Sequence, residues 1–211
     1  MRLDRFISNF SSYSRSEAKK IIARGKIDIN NKKVKDSSYQ VKEDDEVLMF
    51  GKAVKKFENI YYVLDKPKGY VTSTKEEGHK LVIDLIPEEY ENYDLKPVGR
   101  LDKDTTGLLI LTNDNDFIHK MTSPKNEIEK VYVVTLADPI KDEYTSALKN
   151  GIELKDGTKC KSAIMEVISD NECKLTLTEG KYHQVKRMFG ALGNKVVELR
   201  RIKFGEYELK K

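Results

Sequence analysis

The sequence predicts an α+β protein whose smaller first part holds a helix pair and a hairpin and whose larger second part is mostly β. Three observations lead there. Apolar residues near the start recur at helical spacing and then give way to alternation. Beyond residue 60, short apolar runs dominate, broken by Pro, Gly and Asp. The 211 residues, 38% hydrophobic and 9% aromatic, can build one compact domain or two small ones around a real core.

Leu3, Phe6, Ile7 and Phe10 occupy one face of a short helix. Ser14 followed by Glu17 is a capping box that opens a second helix. Ala18, Ile21 and Ile22 form its apolar stripe, and Gly25 supplies its stop. Ile27 and Ile29 alternate with polar residues as a strand, and Asn30-Asn31 turns it into a hairpin through Val34. Val41, Val47 and Leu48 flank an acidic turn, with a closing strand after it. Residues 50–59 show no period and are assigned as the linker.

Ile60 to Leu64 reads as a strand stopped at Asp65-Lys66-Pro67-Lys68-Gly69, and Val82 to Ile86 as a short helix ended by Pro87. Leu108 to Leu111 is continuous and apolar, as a strand buried on both faces must be. Phe117 to Met121 has helical character. Val131 to Leu136, Ala163 to Ile168, Cys173 to Leu177 and Val196 to Leu199 are strand segments. Val185, Met188, Phe189 and Leu192 place a helix over Tyr182 to Leu192.

Charged residues make up 35% of the chain against a usual ~25%, so the surface is heavily ionic. The net charge of +4 conceals a division. Residues 1–40 carry +6, residues 179–211 carry +5, and the middle carries −7. Basic ends around an acidic middle suit a polyanion held at two surfaces, or serve solubility alone. No apolar stretch approaches the ~20 residues of a membrane span, and Arg2, Asp4 and Arg5 exclude a signal-peptide core at the start. Cys160 and Cys173 have no paired spacing and read as free thiols of a cytoplasmic protein.

His79, His119 and His183 are too scattered to ligate a metal. Gly151 to Lys159 has the wrong spacing and order for a phosphate loop and reads as a hairpin turn at Asp156-Gly157. Hydrolase, kinase and dehydrogenase signatures are missing. What remains is Gly99-Arg100-Leu101-Asp102-Lys103-Asp104-Thr105-Thr106-Gly107, a loop before the buried Leu108 to Leu111 strand. A carboxylate there can face a cleft from a rigid support, or can merely organise its own turn. Asp104, Asp114 and Asp116 read as turn residues.

The run GRLDKDTTGLLILTND, Gly99 to Asp114, resembles the signature of the bacterial ribosomal-RNA pseudouridine synthases. YVLDKPKGYVT (Tyr62 to Thr72), EKVYVVTL (Glu129 to Leu136) and EGKYHQVKRMFGALGNKVVEL (Glu179 to Leu199) agree with it, in order. The first segment resembles an S4 RNA-binding domain in RLDRF, SRSEAKKII and Gly25-Lys26-Ile27. Thr122-Ser123-Pro124 and His183 to Phe189 resemble the small-subunit branch most. The resemblance implies an S4-like domain over 1–57 and, over 60–211, a catalytic domain on a mixed, largely antiparallel sheet.

It further implies Asp102 as the catalytic carboxylate, Tyr132 as the platform stacking on uracil, and Lys186 as the cation paired with Asp102. Many relatives carry Arg at that last position, so a bidentate clamp becomes a point contact. Arg100 would enter the RNA helix and displace the base, and Leu199 would line the uridine pocket. Arg15, Lys19, Lys20, Arg24 and Lys26 become the S4 contacts to RNA, and Arg187, Arg200 and Arg201 contacts near the cleft. The implied reaction is uridine-to-pseudouridine isomerisation in 16S rRNA, at uridine 516, with no cofactor and no metal. The partner is ribosomal RNA, free or in a small-subunit assembly intermediate; no membrane is involved and a monomer is expected. A related enzyme of 23S rRNA and a non-catalytic RNA-binding assembly factor are the alternatives; intact Asp102, Tyr132 and Lys186 argue against the latter.

Overall fold

The computed structural model describes residues 1–54 and 59–209. Two compact units result: Met1–Ile60 with Asn92–Asp94 and Asn113–Asn115, and the remainder of the chain.

In the first unit, α1 (Leu3–Asn9) and α2 (Arg15–Ala23) precede a sheet of β1 (Ile27–Ile29), β2 (Lys32–Lys33), β3 (Val47–Met49) and β4 (Lys52–Ala53). The strand order is β2-β1-β3-β4, with each adjacent pair antiparallel. Ser14 caps α2 reciprocally: its hydroxyl accepts from the Glu17 amide at 3.3 Å while its own amide donates to the Glu17 carboxylate at 2.8 Å. Gly25 sits at φ 66°, the left-handed conformation that ends α2. Asn30 and Asn31, at φ 49° and 63°, make the primed turn that matches hairpin twist. Leu3, Phe6, Ile7, Ala18, Ile22 and Ile27 pack into the core between helices and sheet.

β4 lies within the stretch assigned as linker, because pairing with β3 at Leu48↔Ala53 orders residues that have no hydrophobic period of their own. The middle of that stretch, residues 55–58, lies outside the described residues.

The second unit begins with β5 (Tyr61–Lys66). Val82–Leu85 is a 3-10 turn rather than a full helix, followed by another at Glu88–Tyr93. Next come β6 (Lys96–Pro97), β7 (Thr106–Thr112), α3 (Asn115–Thr122), β8 (Lys130–Leu136), α4 (Glu143–Lys149), β9 (Ile164–Ser169) and β10 (Glu172–Leu177). The unit closes with α5 (Gln184–Ala191), β11 (Val196–Phe204) and β12 (Tyr207–Glu208). The main sheet path is β5-β7-β11-β8-β10-β9, with β12 on β11 and β6 on β7. Only β7–β11 is parallel among these pairings, so the sheet is mixed and largely antiparallel. Leu108, Leu109, Ile110 and Leu111 of β7, between β5 and β11, are all fully buried. Their placement fixes the loop that precedes them.

α4 has little sequence signal: only Tyr144 and Leu148 turn inward, at i and i+4. α5 starts at Gln184 instead of Tyr182 because His183 adopts φ 48°, outside the helical region. Among the described residues no helix is long and apolar enough to cross a membrane.

The β7–β11 junction requires glycine. Gly107 has φ 99°, and a Cβ there would stand 2.1 Å from the Arg201 carbonyl oxygen. Gly107→Ala is therefore expected to destabilise the protein by about 2–4 kcal/mol, read as a fall in thermal unfolding midpoint. An unchanged midpoint would show that the two strands can separate freely there.

Candidate active site

Two lysines organise the loop between β6 and β7, and only Lys186 stands out in the sequence. Lys66, the last residue of β5, is fully buried. Its ammonium donates to the carbonyls of Thr105 (2.8 Å), Asp102 (3.1 Å), Lys103 (3.3 Å) and Pro67 (3.3 Å). Burial pushes its pKa down to about 8, against the pull of Asp104 and Asp102. The Thr72 hydroxyl adds a second anchor, donating to the Leu101 carbonyl at 2.8 Å and accepting from the Leu101 amide at 3.2 Å. Asp102 is thus presented from a backbone fixed at several successive carbonyls.

Lys186 reaches the Asp102 side chain from the first turn of α5. Its Nζ lies 3.0 Å from Asp102 Oδ2 and 2.6 Å from Asp104 Oδ1. Burial works against this ammonium, but its bonds to the two carboxylates prevail and hold its pKa above the ordinary lysine value. Lys186 in turn keeps Asp104 ionised below the usual carboxylate range, despite partial burial. Asp104 is therefore more than a turn residue: it shares the cation of Asp102. His183 Nε2 stands 3.4 Å from the other Asp102 oxygen, and the Tyr182 ring stacks on the imidazole at 3.8 Å. Tyr182 is widely exposed.

These groups line a cavity of about 720 Å³, whose walls also include Arg100, Tyr132, Leu199 and Arg201. Tyr132, on β8, and Leu199, on β11, are buried with one side toward it. Arg100 is exposed two residues before Asp102 on the same loop. Asp102, Tyr132, Lys186, Arg100 and Leu199 are therefore brought to one place. Among the described residues no group of three or more His, Cys, Asp or Glu side chains is arranged to hold a metal ion. Cys160 and Cys173 are buried free thiols.

The basic residues sort differently. Lys20, Arg24 and Lys26 are exposed on the first unit, as are Arg15 and Lys19. Arg15 and Lys19 also face fully buried Asp4, at 3.5 and 4.0 Å. Burial disfavours the Asp4 carboxylate, but Arg2 and Arg15 hold its pKa below the usual aspartate value. Arg187 pairs with Asp156, and Arg200 grips Asp65 in a bidentate bridge of 2.9 and 2.7 Å. Arg201 departs from its expected place as an RNA contact near the cleft mouth. It is only 2% exposed, donates from Nε to the Leu108 carbonyl at 2.8 Å, and lies over the Phe204 ring at 4.5 Å. A guanidinium packed inside the sheet cannot meet a solvated phosphate.

Residues 60–191 match the family model described as RNA pseudouridylate synthase, and residues 1–47 match that of the S4 domain. The ribosomal small subunit pseudouridine synthase A of Haemophilus influenzae is 42% identical across 99% of this chain and 90% of its own length. That of Escherichia coli strain K12 is 38% identical across 97% and 89%. A crystal structure of a pseudouridylate synthase superposes with a TM-score of 0.71 at 40% identity, covering 100% of this chain and 91% of the other.

Proposed function

Since the chain belongs to the RNA pseudouridylate synthase family, we propose that it isomerises one uridine of small-subunit ribosomal RNA, uridine 516 in the usual 16S numbering, with Asp102 as the catalytic carboxylate. The observation that carries the catalytic reading is the Asp102–Lys186 pair at 3.0 Å, set in the cavity that Tyr132 lines. The substrate reading rests on the relatives named as small-subunit synthases, which match nearly the whole chain.

Isomerisation breaks the C1′–N1 bond, turns the base and joins C1′ to C5. A carboxylate held against C1′ can act as nucleophile or stabilise positive charge developing on the sugar. Lys186 holds the Asp102 carboxylate in orientation at 3.0 Å. The uridine must leave its stack to reach Asp102: Arg100 takes its place in the RNA, Tyr132 receives the flipped ring, and Leu199 closes the pocket. Residues 60–211 carry this chemistry as a monomer in the cytoplasm, and residues 1–57 grip the RNA.

That grip is electrostatic on this reading. Replacing exposed Lys20, Arg24 and Lys26 together by Ala in the full chain should weaken RNA binding. It should also lower the log–log salt slope by about 0.7 to 0.9 per lost phosphate contact. Affinity measured across a salt series tests this, and an unchanged slope would make the basic face a solubility feature. The function itself is tested by mapping pseudouridine in rRNA from cells with and without the gene. Loss of the modification at 516 alone supports the reading; loss only in 23S rRNA refutes the assigned substrate.

A further inference from the structure

Arg201 is a buried cation with no counter-ion among the described residues. Its Nε is satisfied by Leu108, and Tyr132, its register partner on β8, shares a hydrogen bond with it. Its Nη2 is buried without any partner. Among the described residues the other buried side-chain atom in that condition is Thr105 Oγ1, and both residues line the cavity that holds Asp102. Two further cations of the cavity are engaged: Lys186 holds Asp102 and Asp104, and Lys130 donates to the Ile128 carbonyl at 2.9 Å. An uncompensated guanidinium and an unmade hydrogen bond in one buried place are both costly. They become an asset where negative charge is to appear.

We propose that Arg201, through its uncompensated charge at the cavity wall, stabilises the uracil ring as an anion after the glycosidic bond breaks. This inference rests on the pseudouridine synthase reading above. When C1′–N1 breaks, its electron pair stays on N1 and spreads over O2 and O4. The ring then turns, C5 bonds to C1′, the C5 proton is lost to water and N1 takes one up, so atoms and charge balance. Neutral uridine gains less from a fixed guanidinium than the detached anion does, and that difference accelerates the reaction. The Phe204 face and the Leu108 carbonyl hold the guanidinium in place beforehand.

The test compares uridine with 5-fluorouridine at the target position of the RNA. Fluorine withdraws electrons from the ring, so its anion depends less on protein stabilisation. Single-turnover consumption of the target nucleoside is followed by digestion and chromatography for wild type and Arg201→Gln. Removing such stabilisation of a developing anion costs about 100-fold, so Arg201→Gln should lose about that on uridine and less than about 10-fold on 5-fluorouridine. Equal losses on both substrates, or no loss, overturn the assignment, since a purely structural role slows both alike. If Arg201→Gln does not fold, Arg201→Lys, which keeps charge but not the planar donor set, replaces it in the same comparison: unequal losses support the assignment, and equal or absent losses overturn it. A wild-type enzyme that leaves uridine untouched sinks the underlying reading and this inference together, whereas equal losses sink this inference alone.

Discussion

Asp102→Asn should abolish turnover while leaving RNA binding in place. The substitution preserves shape and the loop geometry, and removes only the negative charge that faces Lys186 at 3.0 Å. An amide can neither attack C1′ nor balance positive charge on the sugar. The single-turnover rate is therefore expected to fall by about 1000-fold or more, to background. RNA affinity should hold or rise slightly, since one anion has left a surface that meets phosphates. If Asp102 served only its turn, Asn would be accepted with little loss, because Asn suits such positions. Rate and affinity measured on the same preparation separate the two.

Lys66→Met should produce the second largest effect, without touching the substrate. The loop would lose the ammonium that gathers the carbonyls of Pro67, Asp102, Lys103 and Thr105. Misplacing a catalytic group by about 1 Å can cost about 100-fold, and a loss of that order is expected in the single-turnover rate. The pH dependence is a sharper signature. Lys66 titrates near 8 in the folded chain, below its ordinary 10.5. Above pH 8 the folded protein therefore holds fewer protons than the unfolded one, and this group's contribution to stability rises with pH toward 10.5. Activity should move the opposite way, since a neutral amine loses the positive charge and one of the three N–H bonds with which the ammonium gathers these four carbonyls. Wild type should thus lose rate as pH passes about 8 while gaining no thermal instability from this lysine, and Lys66→Met should lack that limb. A limb that survives in Lys66→Met would assign it to another group.

The local features are the most legible in the sequence. The Ser14–Glu17 box, the Gly25 stop and the Asn30-Asn31 turn depend on a few neighbouring residues and stand in the structure where the residues put them. The Leu108 to Leu111 run announces the buried strand β7 for the same reason. The two-residue strands β4, β6 and β12 do not announce themselves, since a partner strand defines each of them. The functional residues that periodicity hides have a common origin. Lys66 follows buried Leu64 by two positions on β5, and Arg201 follows buried Leu199 by two on β11. Strand alternation turns each of them to the side its apolar neighbour faces. Reading only apolar periodicity misses this, because a charged residue is assumed to point outward. The pairing of Asp104 with Lys186 is hidden differently: it depends on where α5 meets the loop, a separation of 82 residues.

We propose that the cavity around Asp102 converts one uridine of small-subunit rRNA. It is tested most directly by incubating the purified full-length protein with 16S and 23S rRNA, unmodified and in equal amounts, and mapping pseudouridine at single-nucleotide resolution. Wild type should yield one pseudouridine, at 516 of the 16S molecule, and Asp102→Asn none. Conversion confined to 23S rRNA, or retained by Asp102→Asn, would contradict that assignment.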